Sequence, residues 1–229
     1  MSLRGVVVPV LSPLATAPLH GVPLVVRALR AAESVTEHVH LLVREELYDE
    51  VAEVMLRSGT RHPLTSVRSL PQALSVVARG LPATPHDPGV LVVHDPCCPM
   101  VSPTTLRQVA DRAAAEPGTV VVASSLVTDT VKRVAAGVVQ ETVDRDLLRT
   151  VSSPVALPVS ALAAGPPRLD GPRDPSGADD LARLVADAVT GGAPLVWVPT
   201  SGQGRRVSSL AELRVLECVE DEHASRRSP

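Results

Sequence analysis

A carboxylate set straight after a buried strand is the first residue in this sequence whose type and place could do chemistry. Asp95 follows the apolar run Gly89 to His94 (GVLVVH), and parallel sheets place their ligands outside the ends of such strands. There Asp95 could face a divalent ion. Followed by Pro96, it could equally cap a turn, which is common work for aspartate. His94 reads as a hydrogen-bonded structural histidine with no catalytic role. Cys97 and Cys98 come next and Cys218 stands far away, spacings that match neither a zinc site nor a disulfide framework. A redox role for the adjacent pair is disfavoured, because vicinal cysteines close only a strained ring and no activating charge flanks them. Other polar candidates are scattered: Asp129, Thr130 and Lys132 in Val127 to Lys132 (VTDTVK), Arg145 in the charged stretch Asp144 to Arg149, and Arg206 and Ser208 in Gly204 to Ser208 (GRRVS). Such charges usually end on solvated faces, so a site exists only if the fold gathers them.

The elements that must position them alternate. Gly5 to Leu11, Val39 to Val43 and Gly89 to His94 are short β-branched runs that read as buried parallel strands. Amphipathic segments separate them: Pro23 to Glu33, Glu45 to Ser58 and Ser69 to Arg79. Ser102 with Pro103 behind it opens a helix running to about Glu116, and Gly118 precedes a strand at Thr119 to Ala123. Four strand-helix units in succession predict an α/β fold, a Rossmann-like, doubly wound and mostly parallel sheet. After Ser124 the rhythm breaks. Val131 to Thr142 and Val151 to Val159 are two extended segments with no crossover helix between them, and together they predict a projecting β-arm over about 131–159. Gly165 to Gly177 is too rich in proline and glycine for a helix or a central strand and reads as a surface loop. A helix at Asp179 to Thr190, a strand at Pro194 to Pro199 and a helix at Ser208 to Glu220 complete a single domain over 1–220, with 221–229 expected to be a frayed tail.

Composition narrows the function classes. The 229 residues include one Trp, one Tyr and no Phe, so the core must be built from Val, Leu and Ala. Twenty-two basic residues against 25 acids give a formal charge of -3, which offers no footprint for nucleic acid. The apolar N-terminal run is too short to span a membrane and lacks a signal-peptide layout. Free cysteines and the missing leader together predict a cytoplasmic protein.

Taken in order, HDPCCPMVSP after the strand ending at His94, VTDTVK at Val127 to Lys132 and VDRDLL at Val143 to Leu148 resemble the 2-C-methyl-D-erythritol 4-phosphate cytidylyltransferase family. The resemblance runs over nearly the whole chain. It implies a nucleotidyl transfer in which the phosphate of methylerythritol phosphate attacks the α-phosphorus of CTP and pyrophosphate leaves, with Mg2+ bridging phosphates. It also implies a homodimer held through the arm. Asp95 matches the family's metal-facing aspartate, and Asp129, Thr130 and Lys132 match its Asp-Thr-x-Lys segment. Arg145 matches the arm arginine used on the substrate phosphate, while Arg206 and Ser208 stand where the last turn has lysine and threonine.

Departures are concentrated at the front. The family's Pro-Ala-Ala-Gly-x-Gly-x-Arg loop and following Pro-Lys are replaced by Pro9 to His20, with no glycine between Gly5 and Gly21 and no Lys or Arg between Arg4 and Arg27. Cys98 replaces an arginine, Ser152, Ser153, Pro154 and Val155 replace Gln-Thr-Pro-Gln, and Ala178 replaces the threonine before Asp179 and Asp180. A loop without glycine, lysine or arginine has little with which to neutralise a triphosphate. The expectation is therefore a weak or inactive homologue. The alternative is a true CTP-dependent enzyme with substitute cations, for which Lys132, Arg145 and Arg206 are the candidates. A nucleotide-sugar binder on a similar sheet fits less well, since no clear Asp-x-Asp pair follows one of the parallel strands.

Overall fold

A computed structural model describes residues 2–81, 89–163, 180–200 and 204–227. The stretch expected to form a surface loop at Gly165 to Gly177 lies outside the described residues, as do Ala178 and Asp179. Strand β1 (Leu3–Val10) leads through a short 3₁₀ turn to the two-residue strands β2 (Pro18–Leu19) and β3 (Val22–Pro23), then to α1 (Leu24–Glu33). The units β4 (Val39–Arg44) with α2 (Tyr48–Arg57), β5 (Leu64–Val67) with α3 (Leu70–Gly80), and β6 (Val90–Val93) with α4 (Pro103–Ala115) follow. Next come β7 (Val120–Leu126), the hairpin β8 (Val131–Ala135) and β9 (Val138–Val143), and β10 (Arg149–Pro158). The chain closes with α5 (Val159–Ala163), α6 (Asp180–Thr190), β11 (Leu195–Pro199) and α7 (Leu210–Arg227).

Among the described residues, seven strands form one sheet in the order β11-β7-β10-β6-β1-β4-β5, in which only β10 runs antiparallel to its neighbours. Alternation along each strand supplies both faces. Val6, Val8 and Val10 of β1 point towards α1, α2 and α4, whereas Val7 of β1 and Leu91 and Val93 of β6 join α3, α5 and α6. The predicted α/β class and mostly parallel sheet are thus the observed ones. Order reverses between β1 and β6, so the crevice at the carboxyl ends of those two strands is where such a sheet holds its site.

Three expectations need correction. The second half of the expected arm, Val151 to Val159, is the inner part of β10, held between β6 and β7, with Val159 already opening α5. Pro154 concealed this, because proline normally stays out of central strands. Here the register shifts between Ser152 and Val155, and the irregularity accommodates a residue that has no N–H to give. The first half is not one strand but the hairpin β8–β9, turned at Ala136 and Gly137, both with positive φ. The projecting arm is therefore 131–143. Helix α7 continues to Arg227, so the expected tail is helical over its first seven residues. Ser102 does cap α4 as its spacing predicts, accepting from the Thr105 N–H at 3.1 Å.

The placement of β10 is testable. Leu157 is 1% exposed, and Leu157→Ala should cost about 2–5 kcal/mol in urea unfolding. A loss below about 0.5 kcal/mol, typical of surface positions, would put the strand outside the core.

Candidate functional site

The site grows from the end of β6. The chain leaves the sheet at His94, and Asp95 turns it: its Oδ1 accepts from the Cys97 N–H at 2.8 Å and its backbone carbonyl from the Cys98 N–H at 3.0 Å. The turn-capping alternative for Asp95 is thus realised. The other carboxylate oxygen, Oδ2, accepts from Arg206 Nε at 2.8 Å, with both side chains mostly buried. Burial works to lower the Arg206 pKa, yet the charge of Asp95, helped by Cys97, holds it above its ordinary value. The guanidinium is a fixed positive charge here.

Beneath this pair lies a residue that the sequence did not single out for a role. The Ser153 hydroxyl accepts from the Asp95 N–H at 2.9 Å and hydrogen-bonds His94 Nδ1 at 2.8 Å. Its place in the β10 irregularity aims it there, and the Ser-Ser-Pro run at 152–154 was the available signal. His94 is 2% exposed, and burial pulls its pKa down to about 4 against a smaller opposing pull from Asp95. It is a neutral structural histidine, as read. Burial, followed by the charge of Asp95, pushes the Cys97 thiol up to about 12, and the same causes raise Cys98. Nearby Arg206 does not overcome this, so neither sulfur is a thiolate nucleophile at neutral pH.

The loop after β1 closes over the same place. Ser12 caps its 3₁₀ turn, accepting from the Leu14 N–H at 3.3 Å through its hydroxyl and from the Ala15 N–H at 3.1 Å through its carbonyl. The Ala17 N–H goes to Leu14 O at 3.0 Å. Pro13 and Pro18 have no N–H. Leu14, Leu19 and Leu24 pack with Cys97, Val207 and Leu213 into a small apolar cluster, which ties the loop to the turn after β6 and to α7. The space left between Ser12, Asp95, Asp180 and Arg206 is about 10 Å³, room for roughly one water.

The predicted site residues divide into two groups. Asp95 and Arg206 meet. Ser208 is exposed two residues on and gives its N–H and hydroxyl to Glu212, at 2.9 and 3.1 Å, so it serves the start of α7. Asp129, Thr130, Lys132 and Arg145 are all exposed around the hairpin. Arg145 donates to the Thr128 carbonyl at 2.6 Å, and among the described residues no hydrogen bond or ion pair joins these four to Asp95.

A metal at Asp95 finds no fit. Both carboxylate oxygens are occupied, one by a cation, and among the described residues no group of three His, Cys, Asp or Glu side chains could hold an ion. Mg2+ favours an octahedral shell completed by water and phosphate, which the remaining space excludes.

The profile of the family described as 2-C-methyl-D-erythritol 4-phosphate cytidylyltransferase matches residues 12–195. The chain belongs to this family. The cytidylyltransferase of Corynebacterium efficiens is 32% identical over 171 residues, 71% of this chain and 68% of that protein. That of Corynebacterium diphtheriae is 31% identical over 157 residues, 66% of this chain and 64% of its own length. Among solved structures, the 4-diphosphocytidyl-2C-methyl-D-erythritol synthase of Anaerococcus prevotii shares the fold at a TM-score of 0.70 and 12% identity, covering 96% of this chain and 99% of that one. The Thermus thermophilus cytidylyltransferase does so at 0.65 and 19%, covering 96% and 100%. Family membership makes the contents of the crevice the question, because the strand end that the family's resemblance assigns to nucleotide carries an internal ion pair here.

The buried His94 gives a pH signature. Unfolded, it takes a proton below about 6.5, whereas folded it resists until about 4. The unfolded state thus binds more protons between those values. The contribution is complete above pH 6.5 and falls away as the pH drops towards 4, by on the order of 3 kcal/mol in total. Urea midpoints at pH 7.5 and 4.5 should differ more for the parent protein than for His94→Asn. Equal pH dependence in both would show that His94 does not titrate as described.

Proposed function

We propose that this chain is a cytidylyltransferase-family protein with a closed nucleotide site, in which transfer from CTP is weak or absent and no Mg2+ is taken up at Asp95. One observation carries the reading: the loop after β1 spends the Leu14, Ala15 and Ala17 N–H groups on its own Ser12 and Leu14 and buries Leu14 and Leu19 where a triphosphate would need donors and cations. Attack on the α-phosphorus and departure of pyrophosphate spread negative charge, and a single well-aimed donor is worth about 2.7–4 kcal/mol in such a step. Several are missing together. Arg206, the best placed substitute cation, is committed to Asp95. The competing reading, an active enzyme, would have to break that pair and move the loop before the nucleotide could enter.

Two measurements bear on it. Pyrophosphate release with CTP, methylerythritol phosphate and Mg2+ should stay at background for both the parent and Asp95→Ala. The variant should also lose about 2–4 kcal/mol of stability, because Arg206 is left partly buried without its partner. A robust parent rate that collapses in the variant would establish the enzyme instead.

The hairpin is the second part of the reading. Val134, Val138 and Val139 are each more than half exposed, and Leu126 and Leu147 beside it are 66% and 80% exposed. A two-stranded hairpin is marginal alone, and apolar side chains presented in this way are buried when a second copy packs on them. A homodimer through 131–143 follows, in keeping with what the family resemblance implies. Light scattering should give twice the chain mass at micromolar concentration, and Val138→Asp with Val139→Asp should give the monomer mass. A monomeric parent would remove this part and leave the closed-site reading standing.

A further inference from the structure

A groove of about 560 Å³ lies between α1 and α2, away from Asp95. Ligand sites for small molecules span roughly 300–1,000 Å³, so it is of useful size, unlike the space at the crevice. Both helices follow adjacent parallel strands and pack on the same face of the sheet, so they run side by side in the same sense. Val26 of α1 and Val54 of α2 line its middle. One end is set by Val22 and by Thr16, whose hydroxyl bonds Glu50. The other end carries Arg30 and Arg57, each in the last turn of its helix. From Pro23 to Arg30, and likewise from Glu50 to Arg57, is about 10 Å at the helical rise.

The two ends therefore differ in charge. Arg30 is exposed and has no carboxylate partner among the described residues. Arg57 meets only Glu53 one turn away at 3.1 Å, with both side chains about two-thirds exposed, a pairing that water and salt screen heavily. Among the described residues the one carboxylate lining the groove, Glu50, is at the far end and engaged by Thr16. Two guanidinium groups lining one end of a groove that also has apolar lining match a planar or tetrahedral anion carrying an apolar chain. We propose that this groove binds a small anionic amphiphile, its carboxylate or phosphate head held by Arg30 and Arg57 and its apolar body lying along Val22, Pro23 and the edge of Val54.

Calorimetric titration of the whole protein with octanoate, octyl phosphate and 1-octanol, each below its aggregation limit, tests this. At least one anion should bind about tenfold more tightly than the neutral alcohol, and the difference between the two anions identifies the head group. Arg30→Ala with Arg57→Ala should bring the anion to within about threefold of octanol while leaving the melting temperature unchanged, because both side chains are exposed. Val54→Glu should weaken all three. Octanol binding as well as the anions, no binding by any of the three, or an anion preference surviving in the double arginine variant would overturn the proposal.

Discussion

The ion pair between Asp95 and Arg206 is the interaction on which the top of the molecule depends. It joins the turn after β6 to the segment before α7, 111 residues apart in sequence, and does so where the sheet order reverses. A charge pair withdrawn from water has to be well satisfied to persist, since its desolvation opposes its attraction. Here the carboxylate also receives the Cys97 N–H, the Asp95 N–H is met by Ser153, and the Val207 N–H reaches the Cys97 carbonyl at 2.8 Å. Each bond fixes a neighbour of the next. The result is a small polar frame that holds two loops and a helix in register.

Around that frame the packing is aliphatic. Leu14, Leu19, Leu24, Val207 and Leu213 pack with Cys97 beside it, in keeping with a chain that has almost no aromatic residues to spare. Partial burial strengthens the pair by removing competing water, and the pair in turn anchors Val207, the next residue, in the cluster. Polar frame and apolar packing meet at Cys97, and the packing draws Leu14 and Leu19 from a β1 loop that carries proline and leucine and no glycine, lysine or arginine. His20, just beyond that loop, adds a clasp from outside, with its N–H on Glu217 at 2.8 Å and its ring on Glu220 at 3.1 Å.

Much of this was legible in the sequence. Runs of Val and Leu at helix-length intervals were enough for the parallel strands, and Ser102-Pro103 for the start of α4. The absence of glycine, lysine and arginine between Pro9 and His20 is a chemical fact that needs no coordinates. Partnership was not legible. Nothing local in GRRVS says that Arg206 rather than Arg205 turns inward to Asp95, since that choice is made by the packing of Val207 on Cys97. Strand β10 was misplaced because Pro154 signals an edge, and only the neighbouring strands reveal that a register irregularity accommodates it. The hairpin turn at Ala136-Gly137 was written in the sequence but hidden within a longer apolar run. Asp129, Thr130, Lys132 and Arg145 show the opposite limit: matching residue types, displayed around a hairpin that does not return to Asp95 in its own chain.

The leucine-filled loop also bears on how this lineage can change. A site emptied of a charged side chain can be restored by one substitution, whereas a site occupied by packed side chains cannot. An arginine placed at Leu14 would bury a cation in that cluster, and glycines in place of Leu14 and Leu19 would hollow it out. Each single step towards an open loop crosses a less stable protein. The leucines act as a lock: with Leu14 and Leu19 packed in one cluster with Leu213 of α7, opening the loop would take several changes made together.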